Sequence, residues 1–359
     1  MVFYTFFFLI VFSTSNIKKI KLGKLFLIEG WSFSFLLLFI FSSLRFDVGY
    51  DYSMYYGLID GNIRWFTDQI NRIEYLPRQL ILLSKEIHFY QLFFAVTSFL
   101  ILYLFHRGIK NYSSDKQTSL LLFFCFPFFF FLSLSVVRQF VAVALLFYAF
   151  KYIKERKIIT YFIFVFLAFL FHKSAILALP IYFLYGDFII NRKFILLIFI
   201  LSFVSSDFIA FLIKVSSSRY SIYITQIGGE GGKLILTLMK IIGIFLLPIV
   251  YNLKDRFDKD FNFFLVTFYL GIFFWSSLSK FGHAGMRSSL YFLSFFLLLV
   301  PKLKFKIKEY YIVKQVLFLF LIALYFGNLY VGSNHRIKDP NMPYQTYFFK
   351  SMKDLKPDQ

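Results

Sequence analysis

Apolar runs recur along the whole length of the chain, at 2–15, 25–44, 89–105, 119–135, 136–150, 158–171, 174–185, 194–213, 234–251, 261–278, 288–300 and 315–331. Fifty-seven Phe in 359 residues cannot all be housed in a core surrounded by water. Charged residues make up 16% of the chain, where a soluble domain carries about 25%. Hydrocarbon is the solvent that accepts such a pattern, and it accepts helices because each helix satisfies its own main-chain hydrogen bonds. The pattern predicts an all-α, polytopic membrane protein with about twelve spans, forming one integral membrane domain over 1–359. Several runs fall short of the roughly 20 residues of a full crossing. These must extend into polar flanks, tilt or break.

Run 2–15 has neither a basic start nor a small-residue cleavage site. It reads as a retained span rather than a signal peptide. The single cysteine, Cys125, lies inside an apolar run. This rules out a disulfide framework or a cysteine metal site and suggests a small buried hydrophobe.

The net charge of +20 superficially suggests nucleic acid, but its distribution argues against that. Lys and Arg concentrate in the short loops 16–24, 106–117, 151–157, 186–193, 252–260 and 301–314. If the spans alternate, all these loops share one side, and by the positive-inside rule that side is the cytoplasm. Both termini then lie outside, with a large extracytoplasmic loop at 45–88 and an extracytoplasmic tail at 332–359. The assignment hinges on 158–185. As one long span it would invert everything that follows, so a tight re-entrant or hairpin pair is expected, with His172 and Lys173 at the outer tip.

A charge at membrane depth costs at least ~2.5–3.5 kcal/mol and is by default a functional candidate. Four places qualify, all on the outer side of this topology. Arg45, Asp47, Asp51 and Tyr55 follow the second run. Two carboxylates and an arginine at a membrane exit can bind a phosphate and place an acceptor hydroxyl, or can form a solvated local ion pair. Arg138 and Gln139 sit between two apolar runs with no hydrophilic loop. The guanidinium there either forks onto a phosphate or snorkels to the headgroups. His172, in Phe171-His172-Lys173-Ser174-Ala175, can act as a general base near neutral pH or hydrogen-bond a neighbouring helix. Finally, Arg219 stands near Tyr223, and Arg287 one turn before Tyr291. Tyrosines at such places also belong to interfacial belts. Gly228–Gly232 reads as a flexible loop or lid.

Other signals are weak or missing. Asp258-Lys259-Asp260 has a carboxylate spacing used by some metal-dependent glycosyltransferases, but it falls in a lysine-containing cytoplasmic loop. There is no phosphate-binding loop for ATP and no zinc-protease motif.

The residues from Val137-Arg138-Gln139 through Ala142, Ala144 and Ala149 to Lys151 and Arg156-Lys157, followed by Phe171-His172-Lys173-Ser174-Ala175 and Leu179-Pro180, resemble the EpsG / Wzy-type polysaccharide polymerases. So does the outer stretch with Arg45, Gly49, Asp51 and Tyr55. The likeness is good over about 40–185 and continues loosely to Tyr291 through the Arg219 and Arg287 pairs. The short first span departs from the pattern.

The resemblance implies a GT-C-like helical fold and a polymerase on the outer face of a bacterial inner membrane. Such an enzyme joins oligosaccharide repeat units carried on undecaprenyl diphosphate. On that reading Arg138, Arg219 and Arg287 cradle the diphosphate and stabilise its developing charge, with Arg45 in support. Gln139, Tyr223 and Tyr291 line the substrate. His172 or Asp51 takes the proton of the attacking sugar hydroxyl. No cofactor or metal is required where arginines supply the positive charge. The partners implied are the lipid-linked donor and acceptor, the bilayer and a chain-length regulator, with no nucleic acid. Two other readings stand beside it: a flippase or other transporter of lipid-linked sugars, and another lipid-linked transferase such as an O-antigen ligase or membrane acyltransferase.

Overall fold

The computed structural model describes residues 1–22, 26–61, 69–186, 192–216, 232–251, 258–303, 307–333 and 341–355. In chain order the main elements are α1 (Val2–Asn16), β1 (Lys19–Leu22), β2 (Phe26–Glu29), α2 (Gly30–Leu44), β3 (Arg45–Phe46), α3 (Tyr52–Asp60), α4 (Tyr75–Glu86) and α5 (Gln91–Tyr112). Then come α6 (Lys116–Cys125), α7 (Phe130–Ser135), α8 (Val137–Tyr148), α9 (Phe150–Lys154), α10 (Ile158–Phe171) and a 3-10 helix (Lys173–Leu184). They are followed by α11 (Arg192–Ser216), α12 (Lys233–Tyr251), α13 (Lys259–Ser277), α14 (Ala284–Leu293), α15 (Phe296–Leu299), α16 (Ile307–Ser333) and β4 (Gln345–Thr346). Each apolar run of the sequence contains a helix.

Where the sequence suggests about twelve spans, four helices among the described residues are long and apolar enough to cross a membrane: Gln91–Tyr112, Lys193–Phe211, Ala284–Lys302 and Tyr311–Gly332. Apolar helices α1, α2, α10 and the 3-10 helix are shorter. One cause of the shortfall is visible in run 119–135. Pro127 has no N–H to give and forces the residue before it out of helical geometry. Phe126 is accordingly extended, at φ −76° and ψ 125°, and the run splits into α6 and α7.

Contacts divide the chain into two compact units. The first is Met1–Tyr148, Leu167–Lys173 and Val300–Gln359. In it α2 packs between α1 and α5, α5 packs on α8, and α16 packs on α6. At one end of this unit the basic loops meet. Asn16 accepts from Gln117 at 2.7 Å, Lys314 pairs with Asp115 at 2.6 Å, and Ser114 donates to the Pro301 carbonyl at 2.7 Å. Loop 16–24 is not plain loop as expected: it holds β1, which pairs antiparallel with β2. At the other end of the unit β4 pairs antiparallel with β3. Tyr344 stacks on Phe3 and Phe41 at 4.6 and 4.3 Å. The start of loop 45–88 and the segment around Gln345 therefore share one end, opposite the lysines. Hydropathy alternation predicts this placement.

The second unit is Ala149–Phe166 with Ser174–Leu299. Its centre is α13, against which α11, α12 and α14 pack. Phe150, Phe263 and Phe295 form an aromatic knot with ring centroids 5.0–5.7 Å apart. Segment 158–185 turns back on itself. Tyr161 donates to the Ala178 carbonyl at 2.7 Å, and its ring lies 5.6 Å from that of Tyr182. The segment is thus a hairpin with His172 and Lys173 at its tip. The returning arm, with Pro180 inside it, is 3-10 rather than α-helical. Asp258 and Asp260 are spoken for structurally. Asp258 caps α13, while Asp260 receives Lys154 at 2.7 Å and the Tyr185 hydroxyl at 2.8 Å.

The loop after α2 is held against the break between α7 and α8. Gly49 has φ +101°, and a Cβ there would sit 2.0 Å from the Leu134 carbonyl oxygen. Next to it the Tyr50 N–H donates to Ser135 Oγ at 3.1 Å. We expect Gly49→Ala to cost more than the ~1–3 kcal/mol of backbone strain alone, because a main-chain overlap is added. Gly327→Ala, which meets nothing within 4 Å, is the neutral comparison. Thermal unfolding in detergent checks this, and equal midpoints for the two variants would refute the close approach.

Candidate functional site

The end of the first unit that carries β3 and β4 gathers residues that the sequence leaves far apart. Arg138 lies in the first turn of α8, where the main chain restarts after the α7–α8 break. Its Nε donates to the Tyr55 hydroxyl at 2.7 Å, and the guanidinium lies 5.9 Å from the centre of the Tyr55 ring. Its Nη1 pairs with Glu74 Oε2. The other carboxylate oxygen of Glu74 accepts the Lys173 main-chain N–H at 3.3 Å. One acidic side chain thus ties the α8 arginine to the hairpin tip beside His172. Arg138 keeps 22% and Glu74 10% of side-chain exposure, so the pair is largely shielded and its attraction exceeds that of a surface pair.

Tyr55 is fully buried. It packs on Phe93 with centroids 4.6 Å apart. Burial pushes its phenol well above the ordinary range despite the nearby Arg138 charge. The hydroxyl therefore stays neutral at any working pH, accepting from Arg138 and retaining its own hydrogen to donate. Asp51, half-buried at the N-cap of α3, acts electrostatically on both Tyr55 and Arg138. Gln139 is buried next to Arg138. His172, half-buried, ends α10 with its N–H on the Ala168 carbonyl at 2.9 Å.

Arg45 is placed differently from the expectation that it supports substrate. It is 1% exposed and turned inward. Nη1 donates to the Ser42 carbonyl at 2.6 Å and to Ser98 Oγ at 3.2 Å, and Nε donates to the Val48 carbonyl at 3.1 Å. The guanidinium faces the Phe94 ring at 5.3 Å. Gln91 completes the arrangement by donating to the Ser43 and Arg45 carbonyls. The bonds to Ser42 and Ser43 satisfy carbonyls that the end of α2 leaves without helical partners. Arg45 braces the loop that carries Asp51.

In the second unit, Ser174 and the buried Tyr291 share a hydrogen bond of 2.8 Å between hydroxyls. Arg287 is exposed one turn earlier on α14. Arg219 and Tyr223, with most of the Gly228–Gly232 loop, lie outside the described residues. Among the described residues no cluster of three or more His, Cys, Asp or Glu side chains is arranged to hold a metal ion.

Glu74 is the residue that sequence reasoning passes over. It reads there as one of several acids balanced by arginines in a long polar loop. Its one local signal is its position just before α4.

If the Arg138–Glu74 pair is coupled as drawn, Arg138→Ala and Glu74→Ala each lower the unfolding midpoint in detergent. The double variant should then lose less than the sum, by a coupling of ~1–3 kcal/mol. Additive losses would mean that the two side chains act independently.

Among known proteins, the family model described as the EpsG family matches residues 30–346. No curated protein and no solved structure matches the chain. The match takes in loop 45–88, the α8 arginine, the hairpin tip and the α14 tyrosine together. The chain is a member of the EpsG family, which includes Wzy-type polymerases.

Proposed function

We propose that this protein is a polysaccharide polymerase that joins oligosaccharide repeat units carried on a lipid diphosphate, undecaprenyl diphosphate, at the outer face of a bacterial inner membrane. The observation that carries the reading is the Arg138–Tyr55–Glu74 cluster with the hairpin tip bound to it. An arginine at a membrane rim, held in one orientation by a tyrosine and a carboxylate, suits a phosphate leaving group. Two of its nitrogens are fixed by protein, so the remaining N–H groups are aimed in advance, without a reorganisation cost at the moment of reaction. Tyr55 adds a neutral donor beside it.

The reaction on this reading is glycosyl transfer. A sugar hydroxyl at the non-reducing end of one chain attacks the anomeric carbon of the other. The bond from that carbon to the diphosphate oxygen breaks, and the charge develops on the phosphate beside Arg138. The hydroxyl proton goes to His172 or Asp51, which stand on segments anchored around the same arginine. Arg287 and Arg219, with Tyr223, Tyr291 and Gln139, serve the rest of the lipid-linked substrate, while Arg45 acts as the brace. A chain-length regulator is the expected partner.

Deleting the gene in its host and separating the surface polysaccharide on a gel tests this. The expected result is a single repeat unit in place of the ladder, restored by wild type but not by Arg138→Ala or His172→Ala at normal protein level. If deletion removes even the single unit, the protein acts in export or in ligation. If both variants restore the ladder, these side chains are not the site.

The orientation has its own test. In a Cys125→Ala background, the exposed Lys353→Cys should react with a membrane-impermeant maleimide added to intact spheroplasts. Lys19→Cys should react only after permeabilisation. The reverse pattern would put the arginine cluster on the cytoplasmic side.

A further inference from the structure

Arg45 is a buried cation with one nitrogen to spare. Its Nε and Nη1 are spent on the Val48 and Ser42 carbonyls and on Ser98 Oγ. Its Nη2 is buried and has no hydrogen-bond partner among the described residues. A buried donor in that condition is rare, because it has given up water and received nothing in exchange. Arg45 also lines a small cavity, together with Ser42 of α2, Ser98 of α5 and Ser133 and Leu134 of α7. These residues are all buried, and all belong to the first unit. The cavity measures about 10 Å³, the room that about one water molecule needs.

The geometry points to a single ordered water in this cavity, accepting from Arg45 Nη2 and linking the start of the loop after α2 to α7. The serine hydrogens decide the class of ligand. Ser42 donates its own to the Leu38 carbonyl at 2.8 Å, and Ser133 donates to the Phe130 carbonyl at 2.6 Å. Lone pairs are what these two oxygens have left to offer. Ser98 Oγ accepts from Arg45 and keeps its hydrogen to give. The ligand must therefore accept from a guanidinium and is best served by hydrogens of its own for two serine oxygens. Water does both, and these polar partners are the number a buried water usually has. A halide would satisfy Nη2 but would set its charge against the serine lone pairs. A dry cavity would leave Nη2 unsatisfied.

Such a water also serves the arginine cluster. Arg45 opens the loop that carries Asp51 and Tyr55, whereas Ser133 lies on α7, just before the break at which α8 and Arg138 begin. The close approach at Gly49 and the Tyr50–Ser135 bond already join loop to break. The water adds a third tie, through the interior. It holds whatever reaction the protein performs.

A crystal structure of the full-length protein, at a resolution that shows ordered waters, tests this directly. The expected result is one density peak within hydrogen-bond distance of Arg45 Nη2 and of Ser42 or Ser133 Oγ. A peak that becomes anomalous in crystals grown with bromide would make the ligand a halide, and an empty cavity would make it a dry packing defect. Either result overturns the assignment. Two substitutions give an independent reading by thermal unfolding in detergent. Ser133→Ala leaves room for the water, whereas Ser133→Val fills the space and expels it. The valine variant should melt several degrees below the alanine variant, because Nη2 then loses its partner. In a dry cavity the added methyl groups would fill a void and stabilise, so a valine variant melting at or above the alanine variant also overturns the proposal. The density is read on wild type, so it decides the matter even if Ser133→Val fails to fold.

Discussion

Main-chain amides buried in hydrocarbon must find partners inside the protein, and the architecture of the first unit follows from how one interrupted segment meets that demand. Between Cys125 and Val137 the helix stops twice, at Pro127 and at Val136. Phe126, Phe128 to Phe131 and Ser133 to Val137 are all buried, so most of the interrupted backbone is covered by protein. The loop around Gly49 comes close enough for its own N–H groups to bind at Ser135. The same approach fixes where α3 begins, which puts Asp51 and Tyr55 alongside the restart of α8 and its arginine. A defect in helical regularity thereby becomes the seat of the polar cluster.

Around that seat, charges are used in two distinct ways. Arg45 is buried and turned to protein oxygens, the Ser42 and Val48 carbonyls and the Ser98 hydroxyl, and at Ser42 it replaces a helical hydrogen bond that α2 can no longer make. Arg138 is held by its edges, against a carboxylate and a phenol, with part of its surface left open. Both are arginines at the exit of an apolar run, and run length cannot tell them apart. What separates them is the company each keeps in three dimensions.

Much of the fold is legible from hydropathy because the rule involved is local. Every apolar run contains a helix, the 158–185 hairpin turns at His172, and the basic loops of the first unit collect at one end. What escapes is non-local or subtler than hydropathy. The β1–β2 hairpin hides in a lysine loop because its strands are only four residues each. The 3-10 geometry after Lys173 comes with Pro180, and the shortness of α6 with Pro127. The role of Glu74 depends on partners 64 and 99 residues away, a separation over which an unaligned sequence carries no signal. Of the expected site, Arg138, Asp51 and the His172 tip belong to one unit, whereas Arg287 and Tyr291 belong to the other. The family match ties all of them to one protein family without assigning their roles.

The strand pairing of Gln345–Thr346 with Arg45–Phe46 has a consequence for biogenesis. Residues 45 and 46 are made early, yet their partner follows α16 in the chain. Until then the edge of β3 is open, and the Phe3 and Phe41 rings lack the Tyr344 ring that stacks on them. This end of the unit therefore closes only after α16 has been made, when Tyr344 to Thr346 reach back across it. A chain halted just after α16 can insert the helices that precede it and still lack this seal.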